Sequence, residues 1–148
     1  MQVKRLGDRY LVRLEMGEQV VERLKQFADA YGVRFASFQA IGTFERVTLG
    51  YYNTETQSYQ NEELDEAVEV LSMSGNISVA EDGQRIVHAH TVVGRSDYSA
   101  LGGHVAGATA GPTVEVVVET SATKIIRRHD PETGLHLWDL DSTTMGSA

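Results

Sequence analysis

The spacing of apolar residues predicts one amphipathic helix near the start of the chain. In "GEQVVERLKQFADAYG" the apolar residues recur with the 3.6-residue period of a helix and share one face, namely Val20, Val21, Leu24, Phe27, Ala28 and Tyr31. Glu18 lies in the first turn, where a negative charge favours the helix dipole, and Gly32 is a stop signal. We therefore predict a principal helix over about 18–31, whose apolar stripe packs on a sheet.

Alternating and β-rich runs predict strands over most of the remaining chain. The runs are "RYLVRLE", "VRFASFQAIGTF" continuing into "ERVTLGYYN", "EAVEVLSMSGNISV", "RIVHAHTVVG", "TVEVVVETSATKIIRR" and "GLHLWDL". Polar turns separate several of them, and "EDG" predicts a hairpin in which Gly83 adopts a positive φ. The crossover helices that a parallel βαβ sheet requires are missing from the pattern. The sequence thus predicts an α+β fold, a mostly antiparallel β-sheet of seven to eight strands with one flanking helix.

Length and composition narrow the class of protein. With 148 residues, 41% of them apolar, we expect a single domain over 1–148. The chain has no Cys, so any metal must be held by His, Asp, Glu or water. No apolar run has the length of a signal peptide or a membrane span, which predicts a cytoplasmic protein without a membrane partner. Phosphate-binding glycine loops are also missing, so we expect no nucleotide cofactor.

The formal net charge of −8 argues against autonomous DNA binding. Proteins that hold nucleic acid through its phosphates normally present a basic face, because neutralising phosphates supplies most of the affinity. The basic residues here are scattered, and their one cluster is Lys124, Arg127 and Arg128. DNA binding through that local patch stays open but is disfavoured by charge.

Two histidines in "RIVHAHTVVG" are the first candidate for chemistry. Side chains alternate along a strand, so His88 and His90 point to the same face about 7 Å apart along the chain. Two imidazoles at that spacing can converge on one metal ion, although such a pair alone more often lies on a half-exposed strand face. A third ligand would have to come from a neighbouring strand or loop.

His104 is the candidate for that third ligand. It follows Gly102 and Gly103 in "YSALGGHVAGA", and the two glycines allow a tight turn or a close backbone approach that can aim His104 from an adjacent strand, predicted over 103–109. Three neutral histidines with an open fourth position are a ligand set of catalytic zinc and also suit other first-row divalent ions. The remaining histidines, His129 and His136, fall in a polar C-terminal hairpin, where we expect them on the surface.

Acidic and loop residues could complete such a site. Glu115 and Glu119 alternate with valines in "TVEVVVE", so both lie on the face opposite the core. Glu115 is the candidate general base toward a metal-bound water, while an ordinary solvated strand face is the alternative. Arg95, Asp97 and Tyr98, between His90 and His104, could line the mouth of a pocket or be ordinary loop residues.

The ordered series "LGYYNTETQSY", "EVLSMSGNIS", "VHAH", "GGH" and "TVEVVV" resembles prokaryotic stand-alone members of the plant-and-prokaryote conserved (PPC) domain family. The resemblance spans roughly residues 8–140. It implies an antiparallel β-sheet fold with a flanking helix, association as a homotrimer, and a metal, taken to be zinc, at His88, His90 and His104. Such members are commonly labelled candidate DNA-binding proteins, and in plants the domain follows AT-hook motifs. This sequence contains no AT-hook segment.

Three hypotheses follow for function. The first is a homotrimeric PPC-type domain with a three-histidine zinc site, which is structural or completes a pocket for a small-molecule ligand. The second is a metal-dependent enzyme that acts on a small molecule with Glu115 as base. The third is DNA binding or transcriptional regulation, which requires a contiguous basic surface.

Overall fold

The fold is a large β-sheet with one helix, described by a computed structural model for residues 1–144, with side chains as far as residue 141. The elements in chain order are β1 (Gln2–Leu6), β2 (Arg9–Glu15), α1 (Val20–Ala30), β3 (Ala36–Asn53), β4 (Ser58–Leu64), β5 (Val68–Ala80), β6 (Arg85–Gly94), β7 (Ala100–Thr120), β8 (Lys124–His129) and β9 (His136–Thr144). The predicted α+β class is confirmed. The single domain predicted over 1–148 stays a prediction, and its last four residues lie outside the described part of the chain.

Helix α1 is the predicted helix, although it is shorter than the predicted range of 18–31. Val20, Leu24, Phe27 and Ala28 are buried, which is the face that the 3.6-residue period defines. Gln19 has an extended backbone and pairs with Thr109 of β7, so the helix begins only after it. Among residues 1–144, no helix is both long enough and apolar enough to cross a membrane.

Within residues 1–144 the sheet contains nine strands, one more than the upper end of the predicted range of seven to eight. Strand β1 pairs with β2, and β4 pairs with β3, both antiparallel. Neither strand was predicted, because all but one residue of β1 are exposed and β4 buries only Leu64, so alternation is absent from both. The predicted hairpin at Gly83 is confirmed, with a φ of 91° at that glycine.

The strands around the histidines form a closed circuit. Strand β3 pairs with β5 and β7, and β6 pairs with the same two strands, so β7, β3, β5 and β6 follow one another around a ring. The predicted strand over 103–109 and the valine-rich run after it form the one 21-residue strand β7, whose register with β3 shifts at three places. One pairing is parallel, between β5 and β8 at Val79 and Ile126. The sheet is therefore mostly antiparallel, as predicted.

The hydrophobic core fills the space between α1 and the inner face of the sheet. Its largest fully buried side chains include Phe27, Phe44, Leu14, Leu24, Met73 and Ile77. From strand β6, Ala89, Thr91 and Val93 are buried in the same alternation. The intervening side chains of β6 therefore face outward, and two of them are histidines.

Candidate metal centre

The pairing of β6 with β7 brings the three predicted histidines together. His88 and His90 occupy alternate, outward-facing positions of β6, as the strand period requires. His104 of β7 is directly opposite His90 in the antiparallel register. Gly103 makes the approach to the other neighbouring strand possible, because a Cβ there would lie only 2.9 Å from the carbonyl oxygen of Gly50. The predicted reason for the glycine before His104 is thus confirmed.

The spacing of the ring nitrogens suits a first-row divalent metal. The Nε2 atoms of His88 and His90 are 3.3 Å apart. A tetrahedral ion with Zn–N bonds of about 2.0–2.1 Å holds its ligand atoms about 3.3–3.4 Å from one another. One ligand atom from each of His88, His90 and His104 lies within 4.8 Å of the others. The three side chains can therefore meet one ion with small rotations about their own bonds.

The environment favours the neutral imidazoles that a metal requires. Burial lowers the pKa of His88 to about 4, and the positive charges of Arg127, His104 and His90 act in the same direction. Burial likewise lowers the pKa of His104, with a smaller effect from His90. The Nδ1 atom of His104 is also buried without a hydrogen-bond partner among the described residues. The three imidazoles, their neutral state and the unpaired Nδ1 of His104 all fit the binding of a divalent metal ion.

Arg127, which the sequence analysis assigned to a candidate DNA-binding patch, lies instead beside the three histidines. Only 7% of it is exposed, and it donates to Ser78 Oγ (2.9 Å), His136 O (2.7 Å) and Asn76 Oδ1 (3.1 Å). Its Nη2 also lies 3.2 Å from Nδ1 of His88. Burial lowers the pKa of Arg127, an effect that Tyr59 partly offsets.

The contact between Arg127 and His88 fixes the proton of the imidazole. A guanidinium only donates hydrogen bonds, so Nδ1 of His88 accepts and the ring proton is on Nε2, which faces Nε2 of His90. Ligation of a metal through Nε2 would place the proton of a neutral His88 on Nδ1. Nδ1 of His88 therefore cannot accept the hydrogen bond from Arg127 while Nε2 of a neutral His88 binds a metal.

A cavity of about 250 Å³ lies beside the histidines. It is lined by Tyr59, Ile86, Val87, His88, His104, Arg127, Leu135, His136 and Leu137. The side chains come from β4, β6, β7 and the β8–β9 hairpin. The rings of Tyr59 and His104 are 4.9 Å apart between centroids. The candidate metal centre thus borders a cavity with a partly apolar and partly cationic lining.

The structure does not bring Glu115 to the histidines within one chain. Glu115 lies on β7 opposite Arg13 of β2 and Ile41 of β3, whereas His104 lies opposite Gly50. Eleven residues of extended strand separate Glu115 from His104, roughly 36 Å of chain at 3.3 Å per residue. The role of Glu115 as a general base at this site therefore has no geometric support in the single chain.

Other residues singled out in the sequence also lie elsewhere. Glu119 is exposed and forms an ion pair with Arg9 at 2.7 Å. The loop residues Arg95 and Tyr98 line a separate cavity of about 410 Å³, while Asp97 accepts hydrogen bonds from Ser99 within the loop.

Both histidines of the C-terminal hairpin are exposed, as predicted for His129 and His136. Their rings are 5.6 Å apart between centroids. The backbone oxygen of His136 is nevertheless part of the site, because it accepts a hydrogen bond from Arg127.

The predicted basic cluster does not form an open surface. Arg127 is buried against the histidine site, and Arg128 forms ion pairs with Glu81 and Asp139, each at 2.5 Å. A phosphate-binding patch built from this cluster has no support in one chain.

The chain was compared with known proteins and solved structures. No curated protein matches it. Among solved structures, a candidate DNA-binding protein from Bacteroides thetaiotaomicron is 34% identical, with a TM-score of 0.90, and the match covers 95% of this chain and 97% of that one. A metal-containing protein from Archaeoglobus fulgidus is 33% identical, with a TM-score of 0.82 and coverage of 90% and 94%. A PPC protein from Pyrococcus horikoshii is 29% identical, with a TM-score of 0.83 and coverage of 93% of both chains.

The family model for the Plants and Prokaryotes Conserved domain matches residues 1–122. That range contains α1, strands β1 to β7 and all three histidines of the candidate metal centre. The chain belongs to the plant-and-prokaryote conserved (PPC) domain family.

Proposed function

We propose that this PPC domain protein binds a divalent metal, zinc, through His88, His90 and His104. The observation that carries the proposal is the convergence of three imidazoles from two paired strands, with one ligand atom of each within 4.8 Å of the others. The similar protein from Archaeoglobus fulgidus is a metal-containing protein, which supports the same property here. A bound zinc would polarise a ligand in its open fourth position, while the protein supplies the three nitrogens and a neutral, half-buried setting.

Metal analysis of protein purified without a His-tag tests the proposal. We expect close to one zinc per chain in the wild type and a stoichiometry near zero in the double variant His88→Ala with His104→Ala. The matched control is His129→Ala, because that histidine is exposed and outside the cluster. Equal metal content in the double variant and the control would overturn the site.

We further propose that the protein is a homotrimer. The sheet face opposite α1 exposes Leu11 (42%), Val117 (45%) and Ile41 (60%). The register places Leu11 beside Val117, and Ile41 diagonally next to it on β3. Covering such apolar surface is a general driving force for association. Light scattering should give three times the 16.3 kDa of one chain, and a monomer that persists at high concentration would contradict the trimer.

DNA binding is the alternative that the relatives suggest, since the similar protein from Bacteroides thetaiotaomicron is a candidate DNA-binding protein. The net charge of −8 and the engagement of Arg127 and Arg128 with partners in their own chain argue against it here. We expect no retardation of duplex DNA at low salt. A shift that weakens steeply with added salt would instead support DNA binding.

A cytoplasmic location stays a prediction of the sequence.

A further inference from the structure

We propose that the cavity beside the three histidines binds a small aliphatic carboxylate, with the guanidinium of Arg127 as its partner. The inference rests on the proposed metal site, because the metal would supply the second positive charge at the same cavity. Arg127, His88 and His104 line this space together. The ligand class follows from charge, from hydrogen-bond donors and from the size and lining of the cavity.

The charge of Arg127 lacks an anionic partner in the described chain. The guanidinium contacts Ser78, Asn76, His88 and the backbone oxygen of His136, and none of these acceptors carries a negative charge. Across residues 1–141, no carboxylate forms an ion pair with it. Buried charges in proteins are normally paired, because leaving one unpaired is costly. A divalent ion on neutral histidines would add further positive charge, and an anion in the cavity would offset both.

Metal loading would also release a donor of Arg127. A guanidinium has five N–H groups, and four acceptors contact it in the present structure. When His88 ligates through Nε2, its Nδ1 carries the proton and no longer accepts from Nη2 of Arg127. The N–H group released from His88 and the fifth, unused N–H group both belong to the guanidinium of Arg127. A planar guanidinium commonly binds a carboxylate through two parallel hydrogen bonds. The released hydrogen bond can be replaced by a carboxylate oxygen from the cavity.

The lining of the cavity favours an aliphatic acid, and the volume of the cavity accommodates a short one. A volume of about 250 Å³ corresponds to about eight water molecules at roughly 30 Å³ each. Ile86, Val87, Leu135 and Leu137 supply apolar walls next to the cationic end. A four-carbon acid such as butyrate has a negative charge at one end, which matches Arg127, and an apolar chain at the other end, which matches the apolar walls.

Titration of the zinc-loaded protein with butyrate tests the inference. The chain has one tryptophan, Trp138, and the Cζ atom of Arg127 lies 5.4 Å from the centroid of its ring. Its fluorescence therefore reports on the guanidinium, and calorimetry on the same samples gives the affinity. The ligand controls are butyramide, which has the same shape without charge, and inorganic phosphate, which has charge without an apolar chain.

Two arginine variants separate recognition from folding. Arg127→Gln should weaken butyrate binding on the order of tenfold to a hundredfold, the range of one charge-assisted hydrogen bond. The matched control is Arg128→Gln, because Arg128 is the next residue in β8 and pairs with Glu81 and Asp139 instead. If Arg127→Gln fails to fold, the comparison of butyrate with butyramide on the metal-free wild type, where Arg127 supplies the positive charge of the cavity, decides the same question.

The expected result is saturable butyrate binding that is tighter with zinc than without it and weaker for butyramide and phosphate. Butyramide binding as tightly as butyrate, phosphate binding more tightly, or equal affinity in Arg127→Gln would overturn the carboxylate site. Full zinc content without butyrate binding would overturn this inference and leave the proposed metal site standing. Failure to take up zinc would overturn both.

Discussion

Lowering the pH should destabilise the metal-free protein through His88. The folded-state pKa of His88 is lowered from 6.5 to about 4, first by burial and then by the positive charge of Arg127. The unfolded chain, with an ordinary histidine pKa, therefore binds the proton first as the pH falls. The stability from neutral His88 is fully present above about pH 6.5 and is lost progressively toward pH 4. His104 acts in the same direction, because burial lowers its pKa too.

The size of the effect follows from the two pKa values. A difference from 6.5 to about 4 corresponds to an upper limit of about 3.4 kcal/mol, at about 1.36 kcal/mol per pH unit. His88 is half-buried, so solvent screens part of this interaction. We therefore expect about 1–2 kcal/mol of the free energy of unfolding to depend on His88 between pH 7 and pH 4.5.

Urea unfolding in the presence of a chelator, at pH 7 and at pH 4.5 and constant ionic strength, measures this quantity. The informative variant is His88→Asn, whose amide oxygen can still accept from Arg127 but does not titrate. Carboxyl groups that titrate in the same range cancel in the comparison with the wild type. The matched control is His129→Asn, which should keep the wild-type pH dependence. If the wild type and His88→Asn lose equal stability on acidification, the assignment of the low pKa to His88 is refuted.

Three further outcomes test the packing and the metal centre. Gly103→Ala should lower the free energy of urea unfolding by about 1–3 kcal/mol and reduce the zinc content, because its Cβ would meet the carbonyl oxygen of Gly50. The control Gly107→Ala should change neither quantity, because no atom lies within 4 Å of a Cβ there. Phe27→Ala should lower the free energy of unfolding by about 3–5 kcal/mol, since the ring is fully buried between α1 and the sheet. A decrease below 1 kcal/mol in the same assay would show that this packing is wrong. Zinc at a hundred times its dissociation constant for the wild type should raise the free energy of unfolding of the wild type by about 2.7 kcal/mol. The same zinc concentration should stabilise His88→Asn much less, and equal stabilisation of both proteins would show that zinc binds elsewhere.

The histidine site could be predicted from the sequence because its geometry is local. Alternation along one strand places His88 and His90 on the same face, and the glycines before His104 indicate a close strand neighbour. The helix and most strands were predictable for the same reason, since burial of one face leaves a period in the sequence. Strand β4 lacks that period, because six of its seven residues are exposed.

The role of Arg127 depends instead on a long-range pairing. Its environment arises because β8 pairs in parallel with β5, which brings Arg127 to Asn76 and Ser78, 51 and 49 residues earlier in the chain. No local pattern specifies that register, so an arginine in a basic run was interpreted as part of an exposed patch. Glu115 shows the converse: alternation placed it correctly on the outer face, but only the register with β3 and β2 shows that it is far along β7 from His104.

An anomalous-scattering map at the zinc edge, from crystals grown without added metal, tests the central claim most directly. The account predicts one peak per chain, about 2.0–2.1 Å from a ring nitrogen of each of His88, His90 and His104. It also predicts that Nη2 of Arg127 no longer donates to Nδ1 of His88 when the peak is present. A map in which metal-replete protein shows its peak away from these three histidines would contradict the account.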